Sequence, residues 1–120
     1  MSKKTLVFGA SMNPDRYSNM AIRKLVNSGH ATVAFGLKNG VQYGVNIETE
    51  LITYPDLDTV TLYMNANNQK QYYDYLIGLK PKRIIFNPGS ENPDFYETLN
   101  SHNIEFEVAC TLVLLSTDQY

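Results

Sequence analysis

The residues best suited to chemistry follow the first apolar run of the chain. They read Gly9-Ala10-Ser11-Met12-Asn13-Pro14-Asp15-Arg16-Tyr17-Ser18-Asn19. This segment combines an arginine, several small residues and backbone amide groups just ahead of a predicted helix. Amide groups at a helix N-terminus bind phosphate, because the helix dipole and the N–H donors both favour an anion. The segment therefore predicts a loop that holds a phosphate or diphosphate group.

The loop differs from that of a nicotinamide dinucleotide site. Only Gly9 of the pattern G-x-G-x-x-G is present. Such sites also carry an acidic residue after the second strand, which binds the ribose hydroxyls. Here that position reads Gly36-Leu37-Lys38, and Lys38 favours an additional phosphate instead. The pattern argues against NAD and leaves NADP open as an alternative.

Apolar periodicity predicts the strands that position this loop. Five runs are typical of strands: Thr5–Phe8, Ala31–Phe35, Thr59–Tyr63, Arg83–Phe86 and Ile104–Val108. The polar, glycine-rich stretch Gly36–Gly44 is interpreted as a loop, and Leu51–Thr53 as a short extended piece.

Helices are predicted between these strands. The first covers Asn19–Asn27, with Ser18 as its N-cap and Gly29 after its end. The second begins at an N-cap Asn67 or Asn68 and ends at Pro81. Its buried face is predicted to be Tyr72, Tyr75, Leu76 and Leu79.

Two more helices follow. Asn92-Pro93-Asp94 is a typical helix start, with an N-cap, a proline in the first position and an acid in the first turn. Cys110–Leu115 is predicted to be the last helix.

This alternation predicts an α/β fold within one domain, residues 1–120. The expected architecture is a Rossmann-like three-layer sandwich: a doubly wound, mainly parallel five-stranded sheet with helices on both faces. Ligands of such sheets bind beyond the carboxyl ends of the strands. The loop after the first strand and the turn Asn87-Pro88-Gly89 both fall at that edge.

No catalytic or metal-ligating residue is predicted. Ser11 lacks the G-x-S-x-G pattern of a nucleophile, and both His30 and His102 fall at the opposite edge of the predicted sheet. The two histidines do not make a metal cluster. Cys110 is expected to be a small buried hydrophobe, since no cation near it in sequence would activate a thiol.

The composition of the chain indicates which kinds of partner to expect. A net charge of -2 provides no bulk attraction to nucleic acid. The single cysteine excludes an internal disulfide and favours a cytoplasmic location. The most apolar stretch, Ala109–Leu115, is far shorter than the roughly 20 residues that span a membrane. We expect a small-molecule ligand, with neither nucleic acid nor membrane as a partner, and the size is compatible with a homodimer.

The chain resembles a known family along nearly its whole length. Gly9-Ala10-Ser11, Asn13-Pro14, Arg16 and Ser18-Asn19 resemble the opening of small stand-alone CoA-binding domain proteins, which are similar to the CoA-binding domain of succinyl-CoA synthetase. Further matches are Gly44, Pro55–Asp58, Asn87-Pro88-Gly89 and Cys110. Two departures are Gly36-Leu37-Lys38-Asn39, where the family usually has Val-Asn-Pro, and Thr111, where proline usually follows the cysteine.

The resemblance implies a Rossmann-like fold that binds CoA or a related phosphorylated adenine nucleotide. It places Gly9, Ala10, Ser11, Arg16 and Ser18 around the diphosphate, with Asn13, Pro14 and Tyr17 in the same loop. It places Gly36 and Lys38 near the adenosine, and Pro88 and Gly89 near the pantetheine, with Asn87 as a further contact in the same turn.

We therefore expect a module that binds CoA or acyl-CoA, without evident catalysis. An NADP-linked or nucleotide-dependent enzyme that acts with a partner subunit is the first alternative. A structural or protein-interaction domain is the second.

Overall fold

A mostly parallel sheet of seven strands forms the centre of the computed structural model, which describes residues 2–120. The strands are β1 (Thr5–Ala10), β2 (Thr32–Gly36), β3 (Gly40–Gln42), β4 (Val45–Glu48), β5 (Thr59–Leu62), β6 (Arg83–Phe86) and β7 (Glu105–Val108). Their order across the sheet is β3-β4-β2-β1-β5-β6-β7, and only β3 and β4 pair antiparallel. The order reverses between β1 and β5, where a doubly wound sheet opens a crevice.

Helices cover both faces of the sheet. They are α1 (Tyr17–Asn27), α2 (Ala66–Gln69), α3 (Tyr73–Gly78), α4 (Pro93–Ser101) and α5 (Thr111–Ser116), with a 3₁₀ turn at Lys70–Tyr72 between α2 and α3. Residues of α1 and α5 pack with one apolar cluster, and residues of α3 and α4 with the other. The predicted α/β class with a mainly parallel sheet is confirmed. No helix in residues 2–120 is long and apolar enough to cross a membrane.

The predicted number of five strands is wrong, because a β-hairpin is formed by β3, within the stretch interpreted as a loop, and β4, just after it. Tyr43 and Gly44 both have positive φ, 55° and 80°, as a two-residue hairpin turn requires. Val45 and Ile47 alternate with the more exposed Asn46 and Glu48 and face the core, where Ile47 is 2% exposed. Neither strand carries a continuous apolar run, so the sequence pattern did not reveal them. Leu51–Thr53 forms no strand.

Two helix starts also differ from their predictions. α1 begins at Tyr17 rather than Asn19, and its N-cap is Arg16 rather than Ser18. The N-cap of α2 is Asn65, whose side chain accepts a hydrogen bond from the Asn68 amide, rather than Asn67 or Asn68. The predicted second helix is therefore divided into α2, the 3₁₀ turn and α3.

The helix start at Asn92 is confirmed. The Asn92 side chain accepts from the Phe95 amide, Pro93 is the first helical residue, and Asp94 lies in the first turn. Gly29 follows α1 with φ 84°, as predicted for a glycine after a helix end.

Asn87 joins three elements at the carboxyl edge of the sheet. Its amide nitrogen donates to Thr61 Oγ1 at 2.7 Å and to the Leu62 carbonyl at 3.0 Å. Its amide oxygen accepts from the Thr111 N–H at 2.8 Å. The side chain is buried, so these bonds replace water for β5, β6 and the start of α5.

We expect Asn87→Ala to lower the free energy of unfolding by about 1–3 kcal/mol, because it leaves buried partners without a hydrogen bond. Chemical denaturation monitored by circular dichroism measures the change. Asn100→Ala, on the exposed side of α4, is the matched control and should stay within about 0.5 kcal/mol of wild type. Equal effects of the two substitutions would contradict this role for Asn87.

Candidate functional site

A cleft of about 1280 Å³ opens at the carboxyl ends of β1, β2 and β5. Its walls come from the loop between β1 and α1, the end of β2, and the α2 region with the following 3₁₀ turn. Small-molecule and cofactor sites enclose roughly 300–1,000 Å³. The cleft is therefore large enough for an extended cofactor-sized ligand.

Most of the residues expected to contact a ligand line this cleft: Gly9, Ala10, Ser11, Asn13, Arg16, Tyr17, Ser18, Gly36, Lys38 and Pro88. Pro14, Asn87 and Gly89 are not part of its wall. Asn87 is occupied by the bonds described above. The Gly89 amide donates to Glu91 Oε1 at 2.9 Å, so it belongs to the turn itself.

Gly9 and Gly36 allow three backbone segments to approach one another closely. Gly9 has φ 97°, and a Cβ there would lie 2.9 Å from the carbonyl oxygen of Tyr63. A Cβ on Gly36 would overlap the carbonyl oxygen of Ala10. Both positions therefore require glycine, and these close backbone contacts form part of the floor of the cleft.

The loop between β1 and α1 is held in shape by its own short hydrogen bonds. Ser11 Oγ accepts from the Asn13 amide, and Asn13 Oδ1 accepts from the Asp15 amide. The Asn13 carbonyl accepts from the Arg16 amide at 3.0 Å. Three of the amides that the sequence offered to an anion are thus already used within the loop.

The start of α1 keeps free donors. The Arg16 carbonyl accepts from the amides of Asn19 and Met20, and no side chain caps the helix. Within residues 2–120, the Tyr17 and Ser18 amides have no acceptor, as expected for the first residues of a helix. Ser18 lies at the second helical position, and its side chain makes no hydrogen bond to the described residues. It can therefore donate into the cleft, although it does not cap the helix as predicted.

Two cations border the cleft. Arg16 is the last residue of the loop before α1, and Lys38 lies just after β2. The side chain of neither one pairs with a carboxylate within residues 2–120. Asp15 also lines the cleft but is exposed. The arrangement suits a ligand with anionic groups at two places.

One wall of the cleft is apolar, and the sequence did not reveal it as part of a site. It includes Phe35, Tyr63, Met64 and Tyr72. The Tyr72 ring meets the Phe8 ring edge-on, with 5.1 Å between centroids. Tyr72 was expected on the buried face of a helix, and it is half-buried because the other part of its surface faces the cleft. The polar Asn65, Asn68 and Gln71 complete this side.

The remaining reactive side chains lie away from the cleft. His30 Nδ1 accepts from the Lys3 amide at 2.9 Å, before β2 begins, and burial lowers the pKa of His30. His102 precedes β7 at the same amino-terminal edge, so neither histidine reaches Ser11. Cys110 is the N-cap of α5 and half-buried, rather than the fully buried hydrophobe expected.

Comparison with solved structures shows the same architecture in small proteins. One, described only as an uncharacterized protein, is 42% identical with a TM-score of 0.97, over 100% of this chain and 99% of that chain. A Thermus thermophilus protein is 16% identical with a TM-score of 0.86, covering 99% and 91% of the two chains. A hypothetical protein from Pyrococcus horikoshii OT3 is 19% identical with a TM-score of 0.85, covering 97% and 83%. The last two matches show the fold alone.

The comparison with curated proteins gave no match. The family model described as CoA binding domain matches residues 3–116, almost the whole chain. The cleft, its glycine floor and its free helix N-terminus lie inside the matched residues. The chain therefore belongs to the CoA binding domain family.

Proposed function

We propose that the cleft binds CoA, acyl-CoA or a closely related phosphorylated adenine nucleotide. The observation that carries this proposal is the uncapped start of α1, with Arg16 beside it, at the mouth of a cofactor-sized cleft. Family membership supports the same ligand class.

The diphosphate would lie against the start of α1. The free amides of Tyr17 and Ser18 donate to its oxygens, and Arg16 supplies a charge-assisted hydrogen bond. The close contact of Gly9 with the Tyr63 backbone fixes the end of β1, from which the loop leads to the start of α1.

The two ends of the ligand would extend along the cleft in opposite directions. β2 lies on one side of β1, so Gly36 and Lys38 would meet the adenosine end. β5 and β6 lie on the other side, where Met64 and Pro88 line the cleft and would meet the pantetheine arm.

Lys38 supports a phosphate on the ribose. CoA and NADP both carry one, whereas NAD needs a carboxylate for its free ribose hydroxyls. The residues that line the cleft at the end of β2 and just after it are Gly36, Leu37 and Lys38, none of them acidic. NADP is therefore the second candidate, and direct competition between NADPH and CoA decides between them.

The Arg16 side chain would contact the diphosphate of the ligand. We expect Arg16→Ala to weaken CoA binding about tenfold, because it removes one charge-assisted contact to the diphosphate. Isothermal titration calorimetry measures the dissociation constant. Arg23→Ala is the control, since Arg23 is exposed on the same helix outside the cleft. Absence of binding at millimolar CoA by the wild-type protein would refute the proposed function.

The Lys38 side chain would contact the phosphate on the ribose. We expect Lys38→Ala to weaken CoA several-fold, by about 0.5–1.5 kcal/mol for an exposed charge, while dephospho-CoA binds wild type and variant alike. Added salt should reduce the preference for CoA. Lys82→Ala, at the opposite edge of the sheet, is the control. Equal losses for CoA and dephospho-CoA would assign Lys38 to another part of the ligand.

A further inference from the structure

Asn19 is a fully buried side chain that connects the β3–β4 hairpin to the loop between β1 and α1, residues 11–16, which is called the anion-binding loop below. Its Nδ2 donates to the Ser11 carbonyl and to Gln42 Oε1, both at 2.9 Å. Its Oδ1 accepts from the Tyr43 hydroxyl at 2.8 Å. Its exposed fraction is zero, so it cannot touch a ligand in the cleft.

We propose that Asn19 is a positioning residue, which holds the anion-binding loop in its ligand-ready shape by fastening it to the hairpin. Its place in the chain suits this role. At the third position of α1, a side chain points back toward the residues that precede the helix. Asn19 uses that direction to reach Ser11 on the opposite side of the loop.

The hydrogen bonds inside the loop do not fix its position on the sheet. The bonds among Ser11, Asn13, Asp15 and Arg16 join residues two or three positions apart. They set the local turns, but the two side-chain bonds are exposed and open easily when nothing holds the loop to the sheet. The bond from Asn19 to the Ser11 carbonyl spans eight residues and closes the loop across its base.

The hairpin supplies the fixed end of this connection. β4 pairs with β2 inside the sheet, and Val45 and Ile47 anchor the hairpin in the core. The Met12 side chain also lies over Gly40, where an added Cβ would overlap its sulfur. The loop and the hairpin are therefore connected through Asn19 and also contact each other at Met12.

The Asn19 hydrogen bonds affect ligand affinity by ordering the loop, since Asn19 itself does not contact the ligand. A loop that is already fixed loses little conformational entropy when it binds an anion. Without Asn19 the ligand must itself order the loop, and the Ser11 carbonyl, Gln42 and Tyr43 lose their shared partner. The effect on affinity rests on the proposed CoA site, whereas the effect on loop order does not.

The test compares wild type with Asn19→Ala and the milder Tyr43→Phe, with Tyr54→Phe as control. Hydrogen exchange of the Asn13, Asp15 and Arg16 amides is measured without ligand, together with the free energy of unfolding. We expect exchange to rise at least about tenfold in Asn19→Ala, beyond the change that the loss of global stability explains. Tyr43→Phe should give a smaller rise, and Tyr54→Phe none.

Calorimetry with CoA provides the second readout. We expect the dissociation constant to rise about tenfold for Asn19→Ala and about two- to fivefold for Tyr43→Phe. The Asn19→Ala and Arg16→Ala effects should be less than additive, because Arg16 acts through a loop that Asn19 fixes.

Two outcomes distinguish the positioning role of Asn19 from the proposed binding of CoA. Unchanged loop exchange in both variants, beside a loss of global stability, would overturn the positioning role whatever the ligand. Faster loop exchange with no CoA binding by wild type would support the role and refute the proposed function. If Asn19→Ala does not fold, Tyr43→Phe decides.

Discussion

The close approach of backbone segments at the carboxyl end of β1 is the constraint on which the site depends. Gly9 turns the chain through a left-handed conformation against the Tyr63 carbonyl, and Gly36 brings β2 against Ala10. A side chain at either position would push the strands apart. Because these two glycines let β1 end against its neighbours, the chain leaves the sheet there as the loop that leads to α1, whose first residues line the cleft.

The parts that the sequence predicted well share a local physical cause. Apolar runs indicated four of the buried parallel strands, β1, β2, β5 and β6. The sequence Asn92-Pro93-Asp94 marked a helix start that the structure confirms. The loop after β1 could be recognised from glycine, arginine and the helix that follows. The parallel order then brought most of its expected contacts to one cleft, because the carboxyl ends of parallel strands meet at one edge.

The parts that the sequence missed depend on tertiary contacts. The hairpin strands carry no continuous apolar run, and they are fixed by pairing with β2 and by the buried Asn19 network. Asn87 was predicted as a ligand contact from the family resemblance; its bonds to Thr61, Leu62 and Thr111 join parts of the fold that are distant in sequence, so no local pattern revealed them. Tyr72 looked like a core residue, since periodicity cannot distinguish a helix face in the core from one that borders a cleft.

A titration of ¹⁵N-labelled protein with CoA, followed by amide correlation spectra, would show whether the ligand binds at the start of α1. We expect the amides of Met12, Tyr17 and Ser18 to shift most, because they lie at the cleft and have no hydrogen-bond acceptor within residues 2–120. Amides at the opposite edge, such as those of Lys82 and Arg83, should stay in place. Shifts confined to that opposite edge, or no shifts at millimolar CoA, would contradict binding at the start of α1.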